Sequence, residues 1–176
     1  NLDYVGKTIG LVKEQLSSKT PLIGFAGSPF TVLTYLIEGG SSLSYQKTFQ
    51  FMYQNAEQFH KLMNQLTKNT IQYLELQITA GIDAFQIFDT WAGILRPADY
   101  EHFVLPHVQE IFKAVKLPSI YFVKNTSHLL SLMDQTSADF LSVDHTVVLG
   151  HQRTLQKTEK GVQGNLFNGL LSADNQ

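Results

Sequence analysis

The chain has 176 residues, 16% of them charged, a formal net charge of −2 and no cysteine. The missing thiols exclude disulfides, thiolate nucleophiles and thiolate-held metals, and the weak acidic balance without a basic stripe argues against a nucleic-acid partner. No run reaches the ~18 apolar residues of a membrane span and no signal-peptide pattern opens the chain, so a cytoplasmic protein with no membrane partner is expected.

Val5, Ile9, Val12 and Leu16 recur at helical spacing and predict a first helix over residues 5–16. The segment from Ser17 to Pro21 breaks it and leads into the apolar run Pro21-Leu-Ile-Gly-Phe-Ala-Gly27. Ser28 then reads as an N-cap and Pro29 as a first helical residue, for a helix over 30–37 that stops at Gly39-Gly40. Helices over 45–54 and 56–80 follow, with Asn55 placed to cap the second and Gly81 to end it. The run Ala84-Phe-Gln-Ile-Phe-Asp-Thr90 comes next, then a loop at Trp91-Ala-Gly93 and a helix over 98–115 that Pro106 should kink or split. Ser119–Asn125 and Asp139–Asp144 are further strand-like runs around a short helix over 127–135. The segment 147–159 has only a weak helical period, and Gly161-Val-Gln-Gly-Asn165 is the last run.

These five runs, rich in Phe, Ile, Leu and Val without polar alternation, suit strands buried on both faces. Four precede helix-like stretches, which predicts an α/β fold with a parallel sheet and right-handed crossovers. Residues 1–176 read as one domain. A complete (β/α)8 TIM barrel takes about 250 residues, so the chain reads as a partial barrel with raw edges. Such a piece should aggregate, pair with a copy of itself, or be the ordered part of a longer chain.

In a barrel of this kind the chemistry sits at the C-terminal ends of the strands, where Gly27, Asp89, Thr90, Lys124, Asn125, Asp144 and Asn165 fall. Asp89 and Thr90 would turn a carboxylate and a hydroxyl to the barrel top, or Asp89 would cap the next loop. Lys124 would meet an acidic substrate group or balance Asp144. Tyr35 offers a phenol at the pocket mouth or a ring to the core. Gly24 and Gly27 either allow close strand–helix packing or keep the backbone small under a flat ligand. The six histidines (His60, His102, His107, His128, His145 and His151) include no helical i, i+4 pair with an intervening Glu, and His102 and His107 should point to different faces, so no metal site is expected.

Residues 21–40, Pro-Leu-Ile-Gly-Phe-Ala-Gly-Ser-Pro-Phe-Thr-Val-Leu-Thr-Tyr-Leu-Ile-Glu-Gly-Gly, resemble the most recognisable block of the uroporphyrinogen decarboxylases. Ala84–Gly93 resembles the family's second block and Gln163-Gly-Asn-Leu166 the start of a third. The resemblance implies strands three to seven of a distorted (β/α)8 barrel, a homodimer, and no cofactor or metal. It implies removal of the four acetate carboxyl groups of uroporphyrinogen III to give coproporphyrinogen III. Tyr35 and Thr90 match substrate-binding positions, and Phe25, Gly27 and Phe88 match positions beside the pocket. The family's catalytic aspartate and its arginine-rich loop correspond to sequence before Asn1, and a binding histidine to sequence after Gln176, so the 176 residues alone should be inactive. The rivals are a methyltransferase of the same superfamily, with a zinc-bound thiol and a corrinoid partner, and a barrel-like binding domain without catalysis. Two departures from the family pattern stand out: Phe167-Asn168 in place of Asp-Pro, and Asp144-His145 in place of Asp-Trp.

Overall fold

A computed structural model describes residues 2–149 and 158–172. Its elements in chain order are α1 (Asp3–Gln15), β1 (Ile23–Gly27), α2 (Pro29–Glu38), α3 (Gln46–Gln54), α4 (Ala56–Ala80) and β2 (Ala84–Asp89). A 3-10 turn (Ala92–Ile94), α5 (Pro97–Phe103), α6 (Leu105–Ala114), β3 (Ser119–Val123), α7 (Leu130–Met133), β4 (Phe140–Ser142), β5 (Gly161–Gln163) and a second 3-10 turn (Asn168–Ser172) follow. The five strands are all parallel and lie in the order β1-β2-β3-β4-β5. An open doubly wound sheet reverses its strand order at a switch point. The unbroken order here is that of consecutive strands in a (β/α)8 barrel, and the fold is part of one.

Several stop signals act as the sequence predicts. Pro29 opens α2, and Gly39 (φ +80°) ends it by donating its N–H to Tyr35 O. Gly81 (φ +106°) ends α4 in the same left-handed conformation, which costs glycine no Cβ clash. Pro106 splits the predicted 98–115 helix into α5 and α6, broken at Val104. Other expectations need correction. Ser28 and Asn55 occupy the predicted cap positions, but neither side chain makes a capping hydrogen bond. Ser28 instead donates its backbone N–H to Phe88 O, tying the start of α2 to β2. The predicted 127–135 helix is reduced to the four residues of α7. Residues 150–157, which include His151 and most of the ambiguous 147–159 segment, lie outside the described residues.

Register divides the sheet into two unlike faces. Gly24, Ala26, Phe85, Ile87, Asp89, Tyr121, Val123, Leu141 and Val143 turn toward the helices. There they join Phe30, Leu33, Phe59, Met63, Leu74, Tyr100 and Ile111 in the core. Each fully buried large apolar side chain there stabilises the fold by about 1.5–3 kcal/mol. The opposite face carries Ile23, Phe25, Phe88 and Phe140, which are 50%, 62%, 36% and 45% exposed. The notion that all the strands are buried on both faces is therefore correct for the helix side only.

The free edge of β1 has a cover. Phe25 directs its N–H and C=O away from β2, and the Gln77 side chain of α4 meets both: Phe25 N–H donates to Oε1 at 3.1 Å, and Nε2 donates to Phe25 O at 3.0 Å. This approach requires glycine at 24, because a Cβ there would lie 2.6 Å from both Gln77 Oε1 and Ile82 Cδ1. Close strand–helix packing thus accounts for Gly24. Replacing Gln77 with leucine should lower the unfolding free energy of the 176-residue chain, in which β1 has this edge unpaired, by about 2 kcal/mol, because two backbone groups lose their partners. A urea-unfolding midpoint equal to that of the unmodified protein would show that the amide is dispensable.

The histidines also differ from expectation. The α5–α6 break turns His102 and His107 toward the same neighbour, His60 of α4, at ring distances of 5.3 and 5.7 Å. Even so, among the described residues no group of three His, Cys, Asp or Glu side chains is arranged to hold a metal ion.

Candidate active site at the C-terminal ends of the strands

The loop leaving β2 carries Thr90 and Trp91 and is fixed from beneath by a buried polar chain. Asp89 is fully buried and faces the helices, contrary to the reading that aims its carboxylate at the barrel top. Alternation explains this: Phe88 and Thr90 share the open face, so the residue between them must take the other. Asp89 accepts hydrogen bonds from Thr31 Oγ1 and Tyr121 Oη, both at 2.9 Å. Tyr121 Oη in turn lies 2.9 Å from Tyr100 Oη. Thr31 Oγ1 also accepts the Trp91 N–H at 3.2 Å, so α2, β2 and β3 jointly anchor the loop. Asp89 does secure the following loop, as the alternative reading has it, but through Thr31.

Burial pushes the Asp89 carboxyl up to about 6, and the hydrogen bonds from Tyr121 and Thr31 restrain the rise. Burial and then the Asp89 charge raise the Tyr121 and Tyr100 phenols above the ordinary tyrosine range. Both therefore remain proton donors at neutral pH.

Above this chain the side chains converge on Trp91. Tyr35, on the last turn of α2 and 42% exposed, meets the indole edge-on at 6.2 Å. Tyr45, just before α3, packs its ring 5.2 Å away and is 4% exposed. Lys124, just past β3, places Nζ 6.0 Å from the indole centroid. It forms no ion pair with Asp144 among the described residues; Asp144 instead accepts from the Asn125 N–H and from Thr146. Below, on the open face, Phe25, Phe88 and Phe122 form an aromatic strip with ring distances of 5.9 and 5.7 Å. Gly27 lies opposite Phe88 in the register, where a Cβ would come 2.9 Å from Val32 Cγ2. Of the five residues expected at the site, Phe25 and Phe88 lie on the open face of the sheet, Gly27 ends β1, Thr90 directly follows β2, and Tyr35 stands on the last turn of α2 against Trp91. The result is an apolar floor with a rim of hydroxyl and N–H donors, suited to a broad, flat ligand with acceptors at its edge.

The uroporphyrinogen decarboxylase (URO-D) family model matches residues 1–176. The chain belongs to the uroporphyrinogen decarboxylase family. It is 46% identical over 168 residues to a uroporphyrinogen decarboxylase of Thermodesulfovibrio yellowstonii, a match that covers 94% of this chain and 49% of that protein. With the Corynebacterium diphtheriae uroporphyrinogen decarboxylase it shares 41% identity over 170 residues, covering 96% and 49%. The chain therefore spans about half the length of the curated relatives it matches. Among solved structures, a methyltransferase from Methanosarcina mazei superposes with a TM-score of 0.82 at 20% identity, covering 92% of this chain and 48% of that one. At that identity the likeness shows the fold alone.

The two departures from the decarboxylase pattern meet each other in space: the His145 and Phe167 rings are 4.5 Å apart. The contact joins the loops after β4 and β5.

Three contributors to the site escaped the sequence reading. Trp91 was taken only as part of a loop, although an aromatic at a strand's C-terminal end was a usable signal. Tyr45 adopts φ +51°, which is rare for a tyrosine and invisible in its neighbours. Tyr121 could have been found by alternation, since Asp89 and Val123 are register partners on the helix side and Tyr121 lies two residues before Val123.

Proposed function

We propose that the intact protein containing this chain is a uroporphyrinogen decarboxylase, a carboxy-lyase converting uroporphyrinogen III to coproporphyrinogen III. The observation that supports the reading is the contact of Tyr35 with Trp91, the residue after Thr90, on a sheet whose open face carries the aromatic strip of Phe25, Phe88 and Phe122. The macrocycle lies over that strip. Protonation of a pyrrole ring makes it an electron sink; the bond from the acetate methylene to its carboxylate breaks, carbon dioxide leaves, and the electron pair passes to the ring. Protonation of the methylene and release of the ring proton then give a methyl group on a restored pyrrole. The protein's part is to orient the ring and stabilise the charge that develops on it, which donors placed in advance do at little reorganisation cost. In this reading Tyr35 and Thr90 bind substrate, no metal or organic cofactor takes part, and the protein is a cytoplasmic homodimer. Among the described residues no helix is long and apolar enough to cross a membrane.

Tyr35→Phe and Thr90→Val should each lower turnover of uroporphyrinogen III by the intact protein about tenfold, and together by roughly a hundredfold. Coproporphyrinogen III formation, followed by chromatography after oxidation, is the measurement. Unchanged turnover in the double variant would remove the basis of the reading.

A further inference from the structure

Among the described residues, four buried side-chain atoms have no hydrogen-bond partner in the protein: Ser28 Oγ, Tyr45 Oη, Trp91 Nε1 and Thr126 Oγ1. Ser28, Trp91 and Thr126 lie in the loops leaving β1, β2 and β3, and Tyr45 packs on Trp91. Deeper in the fold the pattern is different: Thr67, Gln77 and Thr136 are buried and paired. A buried donor without a partner destabilises the fold, and such groups concentrated at one end of a sheet call for a ligand that supplies acceptors.

Two of the four share one spot. The indole N–H can only donate, the Lys124 ammonium can only donate, and a protonated phenol has a hydrogen to give. Burial, followed by the neighbouring Tyr35 phenol, raises Tyr45 above the usual tyrosine range and keeps it protonated. The carboxylates of the adjoining segments are already engaged. Glu38 accepts from Thr48 N–H and Oγ1, both at 2.9 Å, and Asp144 accepts from Asn125 and Thr146. The patch around Trp91 is therefore rich in donors, and the two nearby carboxylates already accept hydrogen bonds, a composition matched by an anion with more than one acceptor oxygen.

We propose that Tyr45, Trp91 and Lys124 form a carboxylate-binding subsite that seats one peripheral carboxylate of the substrate and thereby sets the rotation of the macrocycle over the aromatic strip. This rests on the tetrapyrrole reading above and adds to it a group of residues separate from Tyr35 and Thr90. Tyr45 Oη and Trp91 Nε1 donate to the carboxylate and Lys124 supplies the countercharge. These are positioning residues; none exchanges a proton with the reacting carbon. Tyr45 directly follows the glycine-containing loop 39–44, where Gly39 and Gly40 hold positive φ.

The test is a fluorescence titration of the intact protein with uroporphyrin III, the oxidised octacarboxylate, and with its octamethyl ester. Tyr45→Phe keeps the ring and removes the donor, so it should weaken uroporphyrin binding about tenfold and leave the ester unaffected. Lys124→Met should weaken uroporphyrin binding and flatten its salt dependence. Tyr45→Phe should also leave Tm unchanged or raise it by about 2–4 °C, since it removes an unpaired buried hydroxyl, which separates lost recognition from lost folding. If both variants bind uroporphyrin as tightly as the unmodified protein, the subsite is wrong and the tetrapyrrole reading stands. Equal weakening for acid and ester would overturn the carboxylate assignment. Failure of the unmodified protein to bind uroporphyrin at all would overturn both.

Discussion

Replacing Gly93 with alanine is expected to destabilise the intact protein by at least about 3 kcal/mol and to lower its Tm by about 10 °C. A Cβ at this position would lie 1.8 Å from the Lys124 carbonyl oxygen and 2.9 Å from that of Asn125. Both obstacles are backbone, so no rotamer change relieves the clash. Either the turn after β2 or the loop after β3 must move, and Asn125 is already held at φ +58° with its N–H on Asp144. Because the displaced turn follows Thr90 and Trp91, turnover should fall even at temperatures where the variant remains folded. Thermal unfolding read by circular dichroism, alongside activity at low temperature, measures both effects. An alanine variant with the original Tm would show that the two backbones do not meet as described.

Asp89→Asn should change how stability responds to acid. The folded-state value of Asp89, about 6, lies above that of the unfolded chain, so the native state holds the extra proton. Its stabilising contribution is present at low pH and is lost as pH rises through about 4 to 6. His107 has the opposite sign. Burial, and then the His60 charge, lower it to about 4, so its contribution is present above the unfolded histidine value and is lost as pH falls toward 4. His60 is lowered in the same direction, by burial and then by His102. In the unmodified protein the carboxyl and imidazole effects oppose one another across the same pH window. Removing the carboxyl leaves the histidines unopposed, so the variant should lose about 2 kcal/mol relative to the unmodified protein between pH 6.5 and pH 4. Urea unfolding at the two pH values gives this difference directly, and other acidic groups cancel from it. A constant gap between the two proteins would mean that Asp89 is not the buried proton acceptor described here.

The sheet was legible because its strands are apolar runs bounded by glycine, proline and polar clusters, and local rules govern such boundaries. Gly39, Gly81 and Pro106 stop or split helices through their own backbone geometry, which neighbours cannot alter. Ser28 and Asn55 were misread because a cap depends on whether the side chain can reach a free N–H, and tertiary packing decides that. The site was legible in part. Tyr35 and Thr90 are expected at the site through the resemblance of their surroundings, and the fold sets Tyr35 against Trp91, the residue after Thr90. Asp89 was placed on the wrong face, although alternation from Phe88 would have corrected it. Of the two readings of Lys124, an acidic substrate group or a balance to Asp144, the second fails because backbone and hydroxyl donors satisfy that aspartate first. The grouping of Tyr45 with Trp91 links positions 46 residues apart and leaves no trace in periodicity.

The amide that covers the outer margin of β1 also governs how that strand can acquire a neighbour. A stray extended peptide approaching this margin finds its first two docking points occupied, which discourages growth into fibrils or mispaired dimers. A strand that pairs with Phe25 must first turn the Gln77 side chain aside. Gln77 therefore acts as a removable stopper, closed to chance encounters and open to a strand whose remaining contacts make the exchange favourable.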